Sequence, residues 1–316
     1  MAKSLRQTPF FISKLGLILS HSTGKIVLFM KIILAKEAGF CFGVKRATEM
    51  TLKTAKSTTL CTLGPLIHNP EFTNYLGSRG ILIVKNVDNI KSDSVVIRSH
   101  GVTKNIEVKI RKKGKKIIDA TCPFVKRVQK LAEEFDQKGY KVLVLGEKDH
   151  PEIVGIRSYA PKSIVIKNLK DVPKFSKNEK IAFISQTTQD SKLFDDIAKS
   201  LKSKFNNLKA VKTICNATES RQKAARQLAK EVDIMIVIGG KNSSNTTRLK
   251  EICEKITTTY HIESEKEFKK EWFNSAETVG ITAGASTPDF SINAVLSKLN
   301  NYEKKNTKAY CYNNGR

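Results

Sequence analysis

Three times along this 316-residue chain an apolar strand runs into a cysteine, and the cysteine into a helix. The segments "KIILA" from Lys31, "KKIID" from Lys115 and "AVKTI" from Ala210 read as short buried strands. Cys41 in "GFCFGVKRA", Cys122 in "DATCPFVKR" and Cys215 in "TICNATESR" follow within a few residues. Behind them, "RATEMTLKTAK", "FVKRVQKLAEEF" and "ESRQKAARQLAKEV" repeat apolar residues at the three- and four-residue spacing of an amphipathic helix. A second strand then ends on glycine, with Gly64, Gly146 and Gly240 lying 23, 24 and 25 residues beyond their cysteines. A third strand closes on small or polar residues in "VVIRSHG", "IAFISQTTQ" and "VGITAGAST".

Matching order at this many places predicts three similar α/β units of roughly 80–95 residues, each on a mostly parallel sheet. The boundaries read from the repeats are a unit over 30–114, a second over 115–209 and a third over 210–302. An extension (1–29), read as disordered or targeting, precedes them, and a polar tail (303–316) follows. Open parallel sheets receive ligands at the carboxyl ends of their strands. A pseudo-threefold arrangement would bring the three cysteines to one point and ring them with polar loops.

The six cysteines contain no CxxC pair, so metal or catalytic roles in a reducing compartment are expected ahead of disulfides. Cys61 falls in a strand pattern, Cys253 in a helical one and Cys311 in the polar tail, and all three read as packing or surface residues. Cys41, Cys122 and Cys215 each stand at a strand-to-helix junction, where helix N–H groups favour thiolate. Three such thiols suit zinc with a fourth ligand. They equally suit an iron–sulfur cluster with one iron left open. Their spacing does not choose between the two.

The loops carry the next signal. His68 and His150 lie four residues beyond their glycines, and Ser244 of "NSSN" holds that place in the third unit. His100 and Ser286 follow third strands. Imidazolium, hydroxyl and amide donors in such positions suit one or two phosphates. Glu152, two residues past His150, is a candidate proton donor, and Thr187 in "SQTTQ" is placed to relay a proton or fix that carboxyl. The formal charge of +26 is spread along the chain. It suits attraction of a phosphorylated substrate more than nucleic acid, which calls for a clustered basic face and stacking aromatics. The run "FFISKLGLIL" is broken by Lys14 and is too short to span a bilayer. A cytoplasmic protein is expected, or one of a plastid-type organelle if residues 1–29 are a transit peptide.

Taken together in order, "GFCFGV", "HNPEF", "RSHGV", "DATCPFV", "HPEIVG", "SQTT", "TICNAT", "KNSSNTTRL" and "TAGASTPD" closely resemble the 4-hydroxy-3-methylbut-2-enyl diphosphate reductase family, from about Lys31 to about Leu299. The resemblance implies three α/β units around a [4Fe-4S] cluster held by Cys41, Cys122 and Cys215. It implies a diphosphate site of His68, His100, His150, Ser243, Ser244, Asn245 and Ser286, with Glu152 as proton donor and Thr187 beside the substrate hydroxyl. The implied reaction is reductive dehydroxylation of (E)-4-hydroxy-3-methylbut-2-enyl diphosphate to isopentenyl and dimethylallyl diphosphates. The implied partner is an electron-donor protein of flavodoxin or ferredoxin type, with no nucleic acid and no membrane. Asn216, where the family pattern has Asp, and the N-terminal extension depart from it.

Overall fold

The computed structural model describes residues 30–306 throughout, with further short strands at 17–19, 25–28 and 308–311. The chain opens with β1 (Leu17–Leu19) and β2 (Lys25–Leu28), an antiparallel pair. The remainder of the extension lies outside the described residues, and with it the reading of residues 1–29 as disordered or targeting.

After β3 (Lys31–Leu34) the chain passes three times through one sequence of elements. The first pass is α1 (Phe42–Thr54), β4 (Leu60–Leu63), α2 (Pro70–Gly77), β5 (Leu82–Val84), β6 (Ser94–Ile97), α3 (Lys104–Lys112) and β7 (Lys116–Asp119). The second is α4 (Pro123–Gln137), β8 (Lys141–Leu145), α5 (Pro151–Tyr159), β9 (Ile164–Ile166), β10 (Lys180–Ser185), α6 (Ser191–Lys204) and β11 (Asn207–Ala210). The third is α7 (Asn216–Ala229), β12 (Ile234–Ile238), α8 (Ser244–Cys253), β13 (Thr258–Ile262), β14 (Thr278–Ala283) and α9 (Asp289–Asn306). The strand β15 (Lys308–Cys311) then pairs with β2, so part of the extension meets part of the tail.

The three sheets are parallel throughout, with orders β5-β4-β6-β7, β9-β8-β10-β11 and β13-β12-β14-β3. Their central strands are buried almost without interruption, which is why they read as continuous apolar runs and not as alternating ones. Each sheet separates two apolar clusters, one per face. In the second lobe Val142, Val144, Ala182 and Ile184 face α4 and α5, while Leu143, Leu145, Ile181 and Phe183 face α6.

The sheets do not coincide with the sequence blocks 30–114, 115–209 and 210–302. Strand β7, expected to open the second block, pairs with β6 of the first lobe. Strand β3, expected to open the first block, pairs with β14 and completes the third lobe. The strand expected over "AVKTI" ends at Ala210 and belongs to the second lobe. Each of these is the fourth strand of its sheet, laid beside the third. The repeat therefore ends, and does not begin, with the strand that precedes the cysteine. The physical reason is that an edge strand extends the hydrogen-bonded ladder already formed, while the helix after the cysteine packs on the next lobe.

Leu143 is fully buried in the middle of β8. Leu143→Ala should lower stability by about 2–5 kcal/mol, seen as a lower urea midpoint with an unchanged slope.

Candidate active site

The geometry starts from the backbone of the cysteines. Cys41, Cys122 and Cys215 are the N-caps of α1, α4 and α7. The Cys41 N–H donates to the Ala285 carbonyl at 3.1 Å, that of Cys122 to Ser99 at 2.9 Å and that of Cys215 to Thr187 at 3.1 Å. The acceptors sit just beyond β14, β6 and β10. Each cysteine is thus pinned to the third-strand loop of the lobe its chain has just left. Gly43 lets two of the thiols draw near: a Cβ there would stand 2.6 Å from the Cys122 Sγ and 4.0 Å from the Cys41 Sγ. All three thiols line one cavity with about 680 Å³ of empty space, part of it open to solvent. Cys61 and Cys253 are buried inside single lobes, as packing residues should be.

The helix N-termini do not make these thiols acidic. Burial pushes the Cys122 thiol up to about 11, with further raising by Cys41 and Cys215, against the N–H groups of Phe124 and Val125. Burial raises Cys215 as well. Desolvation outweighs the helix dipole here, contrary to the thiolate expected from position alone. Bound metal would reverse this, because a cation drives its thiol ligands to thiolate. Three sulfur donors form a soft set that suits iron–sulfur or zinc. Among the described residues, the trio whose ligand atoms lie within 4.8 Å of one another is His68, His100 and His150, not the cysteines. The three thiols line a cavity with about 680 Å³ of empty space, room for more than a single ion. The residues fit a group larger than one ion.

The histidines converge from two lobes. His68 precedes Asn69, the N-cap of α2, and His100 follows the Ser99 that holds Cys122. His150 is itself the N-cap of α5. The four-residue count from each glycine therefore lands on three different cap positions, since Ser244 is the first residue of α8 and Ser243 its cap. Ring centroids are 4.6 Å apart for His68 and His100, 5.5 Å for His100 and His150, and 5.9 Å for His68 and His150. The His150 Nδ1 accepts from the Glu152 N–H at 3.2 Å, which leaves the proton of the neutral ring on Nε2, free to donate. Burial lowers all three: His68, His100 well below the ordinary value, and His150 to about 4. The imidazolium charge expected from sequence is absent at neutral pH, and these are neutral N–H donors. The nearby positive charge is Arg98, whose guanidinium lowers each histidine further and occupies the space beside Gly64. Its buried Nε, the His68 Nε2 and the His100 Nδ1 have no hydrogen-bond partner among the described residues.

The third lobe completes this end of the cavity. The Ser243 hydroxyl caps α8, and Ser286 donates to the His68 carbonyl at 3.4 Å across the lobe boundary. Ser244 donates to Glu147 at 2.8 Å and accepts from Gln186 at 3.1 Å. The Asn245 Oδ1 accepts from the Ala285 N–H at 2.9 Å, leaving its buried amide nitrogen unpartnered among the described residues. A Cβ on Gly240 would meet the His68 carbonyl at 2.5 Å, so that close approach requires glycine.

Glu152 is 1% exposed. The Thr187 N–H donates to its Oε1 at 2.7 Å and the Thr187 hydroxyl to its Oε2 at 2.8 Å. Burial nevertheless pushes the carboxyl up to about 7, because the two hydrogen bonds only partly offset desolvation. Sequence reading missed Arg98, Arg221, Glu147 and Gln186. Two carried a signal: Arg98 is a charge directly after the apolar run of β6, and Arg221 shares the buried face of α7 with Thr218 and Gln222.

The family model of the LytB protein matches residues 32–300. The chain belongs to the LytB family. Among curated LytB relatives, the 4-hydroxy-3-methylbut-2-enyl diphosphate reductase of Caldanaerobacter subterraneus subsp. tengcongensis is 44% identical over 278 residues, covering 85% of this chain and 96% of that protein. The reductase of the same name from Aquifex aeolicus is 43% identical over 275 residues, covering 85% and 95%. A solved (E)-4-hydroxy-3-methyl-but-2-enyl diphosphate reductase, described as the terminal enzyme of the non-mevalonate pathway, superposes with a TM-score of 0.64 at 43% identity, over 86% of this chain and 99% of that one. The reductase structure from Plasmodium falciparum shares the fold, with a TM-score of 0.81 over 85% and 87%. The family match begins beyond the N-terminal extension, and no helix among the described residues is long and apolar enough to cross a membrane. Asn216, the departure noted in the third cysteine motif, is exposed in the first turn of α7.

The raised Glu152 carboxyl has a consequence for stability. From an ordinary value of 4.5 it rises to about 7 in the fold. The native state therefore holds this proton more tightly, and the stability it contributes is complete below about 4.5 and lost as pH rises through about 7. Denaturation between about pH 5 and 8 should show the wild type losing stability relative to Glu152→Gln. Parallel pH profiles would place the carboxyl in solvent.

Proposed function

We propose that this protein reductively removes the allylic hydroxyl of (E)-4-hydroxy-3-methylbut-2-enyl diphosphate, yielding isopentenyl and dimethylallyl diphosphates. The observation that carries the reading is the meeting, in one cavity, of three thiols, three histidines with serine and asparagine donors, and a buried carboxyl poised near neutrality. The net change breaks one C–O bond, forms one C–H bond, consumes two electrons and two protons and releases water. Cys41, Cys122 and Cys215 would hold a [4Fe-4S] cluster, which when bound supplies the electrons and a Lewis-acidic iron.

The chain's own residues do the rest. His68, His100 and His150 donate N–H groups to the diphosphate, with the hydroxyls of Ser243, Ser244 and Ser286 and the Asn245 amide completing the pocket. Arg98 supplies fixed positive charge at its edge. An arriving dianion draws protons onto the neutral imidazoles, which tightens the grip. Anchoring the diphosphate fixes the distance to the hydroxyl, so remote binding energy positions the reacting carbon. Protonated Glu152 hands its proton to the leaving oxygen, either directly or through the Thr187 hydroxyl, which can turn from donor to acceptor. An electron donor of flavodoxin or ferredoxin type is the expected partner, and the basic surface suits an acidic one. A cytoplasmic location accords with the free thiols.

A metal on the three histidines is the second reading, favoured by their ligand atoms lying within 4.8 Å of one another. Arg98 beside all three argues against a cation there. Iron, sulfide and zinc analysis of anaerobically purified protein, with turnover measured under excess chemical reductant, tests the choice. The reading expects iron and acid-labile sulfide, lost in Cys122→Ser and kept in Cys253→Ser. Glu152→Gln should keep iron and lose turnover by about 10²–10⁴-fold. Zinc without sulfide would sink it.

Arg98 gives a separate check. Arg98→Met should weaken pyrophosphate binding by about tenfold or more while leaving iron content unchanged, as expected for loss of a charge-assisted contact in a partly buried site. Equal affinity in calorimetry would remove Arg98 from the pocket.

A further inference from the structure

A second buried guanidinium lines the cavity together with the thiols. Arg221 is 3% exposed on the inner face of α7. Its Nη1 donates to the Ala217 carbonyl at 3.0 Å, within its own helix. Its Nη2 donates to the Gly39 carbonyl at 2.8 Å, across 182 residues of chain and two residues before Cys41. Its Nε is buried without a partner, and among the described residues no carboxylate stands within ion-pair distance of it. The charged groups that act on it are Cys41, Glu37 and Cys215, in that order, and it lines the cavity together with all three cysteines. Burying a cation without a counter-ion is costly, and a fold that keeps one there is arranged for an anion to arrive.

We infer that Arg221 is a positioning residue that ties the Cys41 loop to α7 and, as fixed positive charge beside Cys41 and Cys215, raises the reduction potential of the cluster they hold. The inference rests on the function proposed above. Three thiolates add three negative charges to the site, and one-electron reduction of the cluster adds another. A guanidinium buried beside the thiols favours the more negative, reduced state, and its burial strengthens the effect by limiting screening by solvent. The two backbone carbonyls fix the plane of the guanidinium, so its charge cannot swing away when the cluster is oxidised. Lysine retains the charge without the planar, two-carbonyl grip. Glutamine retains hydrogen-bonding capacity without the charge.

The test is dye-mediated redox titration of the anaerobically purified proteins, followed by the spectrum of the reduced cluster, beside iron and sulfide content. Arg221→Gln should shift the midpoint to more negative potential, and Arg221→Lys should stay near the wild type. If Gln retains no cluster while Lys does, charge is again the requirement and the inference stands. If both lose the cluster, Arg221 is a structural tie only and the inference fails. A full cluster in Arg221→Gln with an unshifted midpoint also overturns it, while leaving the proposed reductase function intact. Absence of iron from the wild type would overturn that function, and this inference with it.

Discussion

Three backbone hydrogen bonds hold the centre of this protein together: Cys41 to Ala285, Cys122 to Ser99 and Cys215 to Thr187. Each joins the cap of a helix in one lobe to the loop after the third strand of another. A parallel sheet must end somewhere, and here each ends in a fourth strand whose chain exits at the carboxyl edge and crosses to the next lobe. The bond at the crossing fixes a thiol and the neighbouring loop that lines the cavity in one step. Ser99 precedes His100, Ala285 precedes Ser286, and Thr187 itself holds Glu152. Movement of any one lobe would therefore disturb both a cysteine and a donor to the cavity.

Burial inside that ring sets the charge state of nearly everything that lines it. It raises the Cys122 and Cys215 thiols, lowers the three histidines and raises the Glu152 carboxyl. All of these shifts favour the neutral form. Most titratable groups of the cavity are thus shifted toward their neutral forms, with two guanidiniums near them, Arg98 by the histidines and Arg221 by the thiols. Charge enters with ligands, and each anionic ligand would meet a fixed cation already in place. Because desolvation does the tuning, the same burial raises the Glu152 carboxyl to about 7 and leaves the imidazoles as neutral donors.

The repeat, the parallel sheets and the strand-end location of the cysteines were legible in sequence because they depend on periodicity and on short motifs such as "DATCPFV". The lobe boundaries were not. Strand β3 completes a sheet whose other members lie far along the chain, from Ile234 onward, and nothing local to "KIIL" says which neighbour it takes. Charge states were misread for a related reason: position at a helix N-terminus is visible in sequence, whereas the depth of burial that overrides it at Cys122 is a tertiary property. Arg98 and Arg221 escaped notice as ordinary basic residues among fifty-six. Tertiary burial distinguishes them, since both have buried Nε atoms and neither has a carboxylate partner among the described residues.

The symmetry is one of backbone and not of side chains, and that difference has chemical meaning. Every lobe offers the cavity the same three places: after its first strand, after its third and after its fourth. The fourth place holds cysteine in all three lobes, as a group held by three thiols would require. The first and third places diverge. They carry His68 and His100 in the first lobe, His150 with the Thr187–Glu152 pair in the second, and Ser243 with Ser286 in the third. A substrate with a charged end and a reacting end has no threefold axis. It needs donors on one side and a proton on the other. Repetition of a half-buried strand–loop–helix unit can supply the symmetric seat, and divergence of two loop positions per unit is enough to give the seat a direction.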